Sequence, residues 1–132
     1  MTIRSRLGTS EHLKVSVPLV LLIAFGVIEV VVLKDDYQDL YQETDKLLQL
    51  CSEKSLDVQT YQQFCDKWVK LREKSELFLH HVDVYELNLR IYETASYVQN
   101  NSFDDAHAQL CVVRQLLSYV PHLITPNFEH IF

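Results

Sequence analysis

From Leu33 onward, apolar residues recur three and four positions apart in four successive rows. Leu33, Tyr37, Leu40, Thr44, Leu47 and Cys51 form the first, and Tyr61, Phe64, Trp68, Leu71, Ser75, Phe78 and Val82 the second. Val84, Leu87, Ile91, Thr94 and Val98 form the third, and Phe103, Ala106, Leu110, Val113, Leu117 and Val120 the fourth. Spacing of this kind puts one apolar stripe on each of four helices that pack at shallow angles. No stretch alternates with the period of two that a half-buried strand needs. Ahead of the rows, residues 15–33 read VSVPLVLLIAFGVIEVVVL, 19 residues with Glu29 as their single charge. Such a segment is apolar on every face, and as a helix it spans about 30 Å, the thickness of a bilayer's hydrocarbon.

Punctuation between the rows marks the helix ends. Ser55 or Asp57 caps the second outer helix, Asp83 the third, and Ser102 or Asp104 the fourth. Pro121 ends the fourth, because the residue before a proline is pushed out of the α region, and Pro126 keeps the tail ITPNFEHIF from continuing it. No breaker separates Leu33 from Lys34, so the first outer helix continues directly from the apolar segment. Ser55-Leu56-Asp57 recurs as Ser102-Phe103-Asp104, and Gln62 as Gln109, at an offset of 47 residues. That period suits two tandem helical hairpins.

The expected fold is therefore all-α: a single N-terminal transmembrane helix followed by a small antiparallel helical bundle of two stacked hairpins. Residues 1–14 form a cytoplasmic N-terminus, 15–33 the transmembrane helix, and 34–132 an extracytoplasmic helical domain. Phe128, Ile131 and Phe132 are expected to dock on the bundle, since exposed they would leave a large apolar patch.

Composition refines this picture. The chain's 132 residues suffice for one domain, and the 48% hydrophobic content owes much to the apolar segment. A cleaved signal peptide is the rival reading of that segment. The apolar stretch exceeds the usual h-region, and after Ala24 and Gly26 it runs straight on without a small-x-small site, which favours an uncleaved anchor. Arg4, Arg6 and Lys14 precede the segment, so the positive-inside rule sets the N-terminus in the cytoplasm and the domain outside the cell membrane. Residues 1–34 hold four Lys/Arg against two Glu, net +2, and residues 35–132 hold eight against sixteen Asp/Glu, net −8. An acidic domain of this kind is repelled by phosphate backbones, so nucleic acid is not an expected partner.

Little in the chain carries catalytic chemistry. Both glycines, Gly8 and Gly26, precede the outer domain, which removes phosphate loops and nucleophile elbows from consideration. There is no H-E-x-x-H and no C-x-x-C. The pairs Asp35-Asp36 and Asp104-Asp105 stand at helix starts, where the helix dipole favours carboxylates. No enzyme and no cofactor is expected. Cys51, Cys65 and Cys111 are an odd set lying in or beside apolar stripes; they read as small buried hydrophobes, with one Cys51–Cys65 bridge as the alternative. His80, His81 and Asp83, with His107, His122 and His130 elsewhere, invite a metal reading. Adjacent helical histidines point about 100° apart, however, and polar surface histidines describe them better.

Glu29 is the sharpest single feature, because a carboxylate inside an apolar span is costly. It lies about 6 Å of helix from Leu33, close enough to snorkel to the interface, and it equally suits a contact with a partner's transmembrane helix. Gly26 on the same helix permits close approach of that partner. Six of the seven tyrosines fall in the first three outer helices. Tyr37 and Tyr41 sit where a membrane aromatic belt would place them, and Tyr85 and Tyr92 lie off the main row of their helix, as interface tyrosines do.

Trp68, the run FLHHVDVYELNLRIYETASYVQNNSFDDAHAQLCVVRQLLSYVPHL and the ending Asn127-Phe128-Glu129-His130-Ile131-Phe132 resemble the bacterial family known as domain of unknown function 4363. Two positions differ: His80-His81 stands where the family has an Asp-His pair, and His130-Ile131-Phe132 where it has Asn-Ile-Phe. The resemblance implies a Gram-positive, spore-former-like source, an N-terminal hydrophobic segment, multi-pass membrane proteins as associates, and no particular activity.

The function expected is that of a membrane-anchored protein–protein interaction module, an accessory subunit of a membrane-protein complex. Its partner would be another integral membrane protein, met through Glu29 and Gly26 and through Tyr37, Tyr41, Tyr85 and Tyr92; a homo-oligomer is the other partner to consider. The alternative is an extracytoplasmic sensor or small-ligand-binding bundle, whose pocket would use Thr44, Ser75 and Thr94, the polar interruptions of three core rows.

Overall fold

The structure is a computed structural model that describes the backbone of residues 2–124 and the side chains of residues 13–124. Four helices run in chain order: α1 over Thr2–Ser52, α2 over Val58–Ser75, α3 over His81–Gln99 and α4 over Phe103–Tyr119. A single 3-10 turn over Val120–Leu123 follows, opened by Pro121, and no strand occurs among the described residues. The docking expected of Phe128, Ile131 and Phe132 lies outside the described residues. The chain divides into two compact units, residues up to 32 and residues from 33 on.

In the first unit, the helix is long and apolar enough to cross a membrane. Its large side chains from Val15 through Phe25 to Val32 are exposed, apart from the half-buried Val30. Pro18 sits inside this helix without ending it, as prolines do in apolar helices whose freed carbonyl finds other partners.

In the second unit, the predicted rows face inward. Tyr37, Leu40, Thr44, Leu47 and Cys51 of α1 are buried, as are Val84, Leu87, Ile91, Thr94 and Val98 of α3. α4 buries Ala106, Leu110, Val113 and Leu117. The α2 row is shorter than its spacing predicted. Tyr61, Phe64, Trp68, Leu71 and Ser75 are buried, but the helix stops at Ser75, and Phe78 and Val82 fall outside the core at 36% and 75% exposure. Asp83 does not cap α3 either: His80 holds that position, and Asp83 sits in the first turn, where its charge meets the helix's positive end. Asp57 caps α2, its Oδ1 accepting from the Thr60 N–H at 2.8 Å, whereas Ser102 begins α4 without a side-chain capping bond.

Neighbouring helices are joined by side chains all the way round. Tyr37 of α1 meets Trp68 of α2 edge to face at 6.4 Å, and Glu43 pairs with Lys67 at 2.9 Å. Between α2 and α3, the Tyr61 hydroxyl donates to the Ile91 carbonyl, and Trp68 Nε1 and Arg72 Nη1 both donate to Asn88 Oδ1, at 2.9 and 2.8 Å. Arg90 of α3 reaches Gln109 of α4. Arg114 of α4 closes the ring, donating to Asp45 at 2.6 Å with its guanidinium 4.5 Å from the centre of the Tyr41 ring. Full burial of each large apolar side chain contributes about 1.5–3 kcal/mol. Among the described residues no buried polar side-chain atom lacks a partner, so this core does not give that gain back through stranded donors.

The internal repeat is real, with one slip. The α1 core positions 37, 40, 44, 47 and 51 fall on 84, 87, 91, 94 and 98 of α3 when advanced by 47. The turns that end these helices match at the same offset: Lys54 and Asn101 adopt left-handed φ values of 56° and 55°. Ser55 N–H bonds the Leu50 carbonyl as Ser102 N–H bonds that of Tyr97, both at 2.9 Å, the six-to-one closure of a Schellman motif. The following helices are offset by 45 instead. The first bond of α2 runs from Tyr61 N–H to the Asp57 carbonyl, and that of α4 from Ala106 N–H to the Ser102 carbonyl. Ser102 thus fills two places at once, closing the turn as Ser55 does and starting α4 as Asp57 starts α2, and the alignment of Gln62 with Gln109 does not hold. The first turn carries two residues more than the second.

Candidate functional site

On α1 ahead of Leu33, Gly26 and Glu29 are three residues apart and so share a face. A Cβ added at Gly26 would meet nothing within 4 Å. The chain's own packing therefore gives no reason for glycine there.

The four tyrosines expected at an interface separate into three kinds. Tyr37 is not at the surface: it is 0% exposed, packed on Trp68 with its hydroxyl 2.7 Å from Ser75 Oγ. Its place in the 3-4 row outweighs its closeness to the apolar segment, and burial pushes its hydroxyl up to about 12. Tyr41 is half-buried beneath Arg114 on the seam between α1 and α4. Tyr85 and Tyr92 stand open on α3, 57% and 45% exposed.

Tyr85 and Tyr92 belong to a continuous row. Val82, Tyr85, Leu89 and Tyr92 follow at intervals of three, four and three, and are 75%, 57%, 50% and 45% exposed. Two residues on a helix turn through about 200°, so this second row lies on the side of α3 opposite the core row of Leu87 and Ile91. The core spacing passes over Leu89, which lies on a second apolar period of the same helix, and it carries Val82 into the α2 row across the turn after Ser75. The repeat sharpens the point. Moved back by 47 residues, the exposed row falls on Asp35, Gln38, Gln42 and Asp45 of α1, all polar. The same core pattern therefore tolerates a polar outer face, and the apolar one on α3 is not a requirement of the fold.

The polar core residues do not form a pocket. Thr44, Ser75 and Thr94 are 0% exposed, and each hydroxyl donates to the carbonyl four residues back, at 2.8, 2.7 and 2.8 Å. These bonds are the usual way a helix satisfies a buried hydroxyl. The hollows lie instead along the α1–α4 seam, one of about 540 Å³ beside Tyr41, Asp45, Cys111 and Arg114, and one of about 410 Å³ beside Lys34, Gln38, Pro121 and His122.

All three cysteines are free thiols. Cys51 and Cys65 are buried, and Cys111, against expectation, is exposed, because its position falls between the buried Leu110 and Val113 on the outer side of α4. Burial raises the Cys51 and Cys65 thiols, the latter to about 11. His80 and His81 are both exposed, and His81 lies beside the Tyr85 ring at 6.4 Å. Among the described residues, no three His, Cys, Asp or Glu side chains converge as metal ligands would; His130 lies outside them.

An apolar N-terminal helix carrying a four-helix bundle of two hairpins defines a class of small all-α proteins. Within it, residues 27–131 match the family described as domain of unknown function (DUF4363), and the chain belongs to that family. The matched region takes in Glu29 and the whole bundle. No curated protein and no solved structure matches the chain.

Proposed function

We propose that this protein is a membrane-anchored interaction module, an accessory subunit that holds another integral membrane protein through two contacts. The apolar part of α1 crosses the cell membrane with its N-terminus in the cytoplasm, and the bundle stands on the outer side. The role is one of docking, without catalysis and without a cofactor.

The exposed row Val82, Tyr85, Leu89 and Tyr92 is the observation that carries this reading. Four large apolar side chains in line on one helix face give an interface of the helix-in-groove kind, read at i, i+3 and i+7. Tyrosines supply large contact area at small entropic cost, and the polar counterparts on α1 show that the bundle stands without them. The second contact is made inside the bilayer, where Gly26 lets a partner's helix approach and Glu29 bonds across it.

The test is recovery of the tagged full chain from its native membrane in mild detergent, with co-purifying proteins measured by quantitative mass spectrometry. A membrane partner in stoichiometric amount is expected. Leu89→Glu and Glu29→Leu should each reduce its recovery at unchanged levels of the tagged chain. Recovery unaffected by both substitutions rejects the two contacts, and recovery of the chain only with itself makes the row a homo-oligomer interface.

A further inference from the structure

The turn between α2 and α3 is apolar at its surface: Leu77 is 80% exposed, Phe78 36%, and Val82, on the first turn of α3, 75%. A connection of five residues has no structural need of a Leu-Phe-Leu run, and loops that face water are rarely built so.

The register of α1 against α2 says what lies next to it. Glu43 pairs with Lys67, and seven residues further along each antiparallel helix Asp36 meets Lys74 at 3.5 Å. α2 ends one residue beyond Lys74, at Ser75, and α1 leads back from Asp36 to Leu33, so the turn that holds Leu77 lies at the Leu33 end of the bundle. Pro121 and His122, beyond α4, line one hollow with Lys34 and so lie at the same end. Leu33 is where the apolar segment joins the bundle by a single peptide bond, and the far end, with Ser52 and Lys54, is exposed and polar.

We propose that Leu77 and Phe78 form a foot that inserts into the interfacial layer of the lipid bilayer. The inference rests on the reading that the apolar segment of α1 spans that bilayer. If it does, Leu33 lies at the interface, and the foot, at the same end of the bundle as Leu33, is close enough to reach the headgroups. An apolar side chain at that depth leaves water without meeting a protein partner.

The experiment uses the full chain with Cys111→Ser, which removes the exposed thiol, reconstituted in nanodiscs of equal parts phosphatidylcholine and phosphatidylglycerol. An environment-sensitive fluorophore is attached at Leu77→Cys, at Ser52→Cys on the far end, and at Val20→Cys within the apolar segment. The quencher is a lipid spin-labelled just below its headgroup. The expected result is blue-shifted emission at 77 and quenching at least about twofold above that at 52. Quenching at 77 equal to that at 52, with 20 quenched, overturns the foot and leaves the anchor standing. A blue shift at 77 without quenching shows that protein covers the turn and also overturns it. An unquenched label at 20 overturns the anchor itself, and the foot with it.

Discussion

The Tyr37–Ser75 contact has a direction that can be worked out and tested. Ser75 has one hydroxyl proton, and it is committed to the Leu71 carbonyl at 2.7 Å. The 2.7 Å contact with Tyr37 must therefore have the tyrosine as donor. The two halves of the pair then differ in what their loss leaves behind. Ser75→Ala strands a fully buried tyrosine hydroxyl, which costs about 1–3 kcal/mol, reduced by about 0.5 kcal/mol for alanine's better helix propensity. Tyr37→Phe strands nothing, because Ser75 keeps its own bond, and costs about 0.5–1.5 kcal/mol. Once Tyr37 is phenylalanine, Ser75→Ala should cost little more, giving a coupling of about 1–2 kcal/mol in the double-mutant cycle.

Urea unfolding of the full chain in mild detergent measures all four proteins of the cycle. Trp68 is the chain's single tryptophan, fully buried and in edge contact with Tyr37, so its fluorescence reports the loss of this packing directly. Slopes of the transition should be equal across the cycle, since the same surface is exposed in each case. A Tyr37→Phe loss equal to or larger than that of Ser75→Ala would refute the assigned direction, and additive losses would show that the hydrogen bond contributes nothing.

Two further predictions concern the bundle. Alkali should unfold it. Burial raises the Cys65 thiol from 9.0 to about 11 and the Tyr37 hydroxyl from 10.0 to about 12, and it holds Tyr61 well above its ordinary value. Raised values mean that the fold binds these protons more tightly than the unfolded chain. Their contribution is complete below pH 9 for Cys65 and below pH 10 for Tyr37, and it is lost as pH passes about 11 and about 12 respectively. The urea midpoint should fall across that window, less steeply in Tyr37→Phe, and a flat profile would contradict the burial. Helix capping should be unequal: Asp57→Ala should lower the midpoint, because it removes a 2.8 Å capping bond, and Ser102→Ala should leave it unchanged, because that side chain makes none. Equal losses would undo the distinction between the two helix starts.

The core was legible in the sequence because burial imposes a period. Every residue of the α1 row and the α3 row proved buried, and Thr44 and Thr94 fitted in because a hydroxyl can bond its own helix. What failed were inferences that ran along the sequence past a turn. Phe78 and Val82 continue the α2 spacing in the string of letters, but Ser75 ends the helix, and spacing has no meaning across the bend. Tyr37 failed as an interface residue for the opposite reason: nearness in sequence to the apolar segment was weighed above its place in the row. Cys111 is exposed because beside a stripe is not within it; one residue is about 100° of helix.

The repeat explains why the candidate site was harder to read than the core. Packing constrains the two hairpins alike, so α1 and α3 share a core pattern and a left-handed turn, and likeness between them marks what the fold requires. Function is then to be sought where the copies differ. The two additional residues of the first turn change only how the chain enters α2. The differences on α3 do more, replacing Asp35, Gln38, Gln42 and Asp45 by Val82, Tyr85, Leu89 and Tyr92. Exposed apolar area gives nothing to the folded state, which keeps it in water as the unfolded chain does. Four such replacements in register on one face are therefore without benefit to stability, and they gain value only when a second surface covers them. In a chain with a polar repeat copy as its internal control, that contrast carries more weight than the exposure of any one tyrosine.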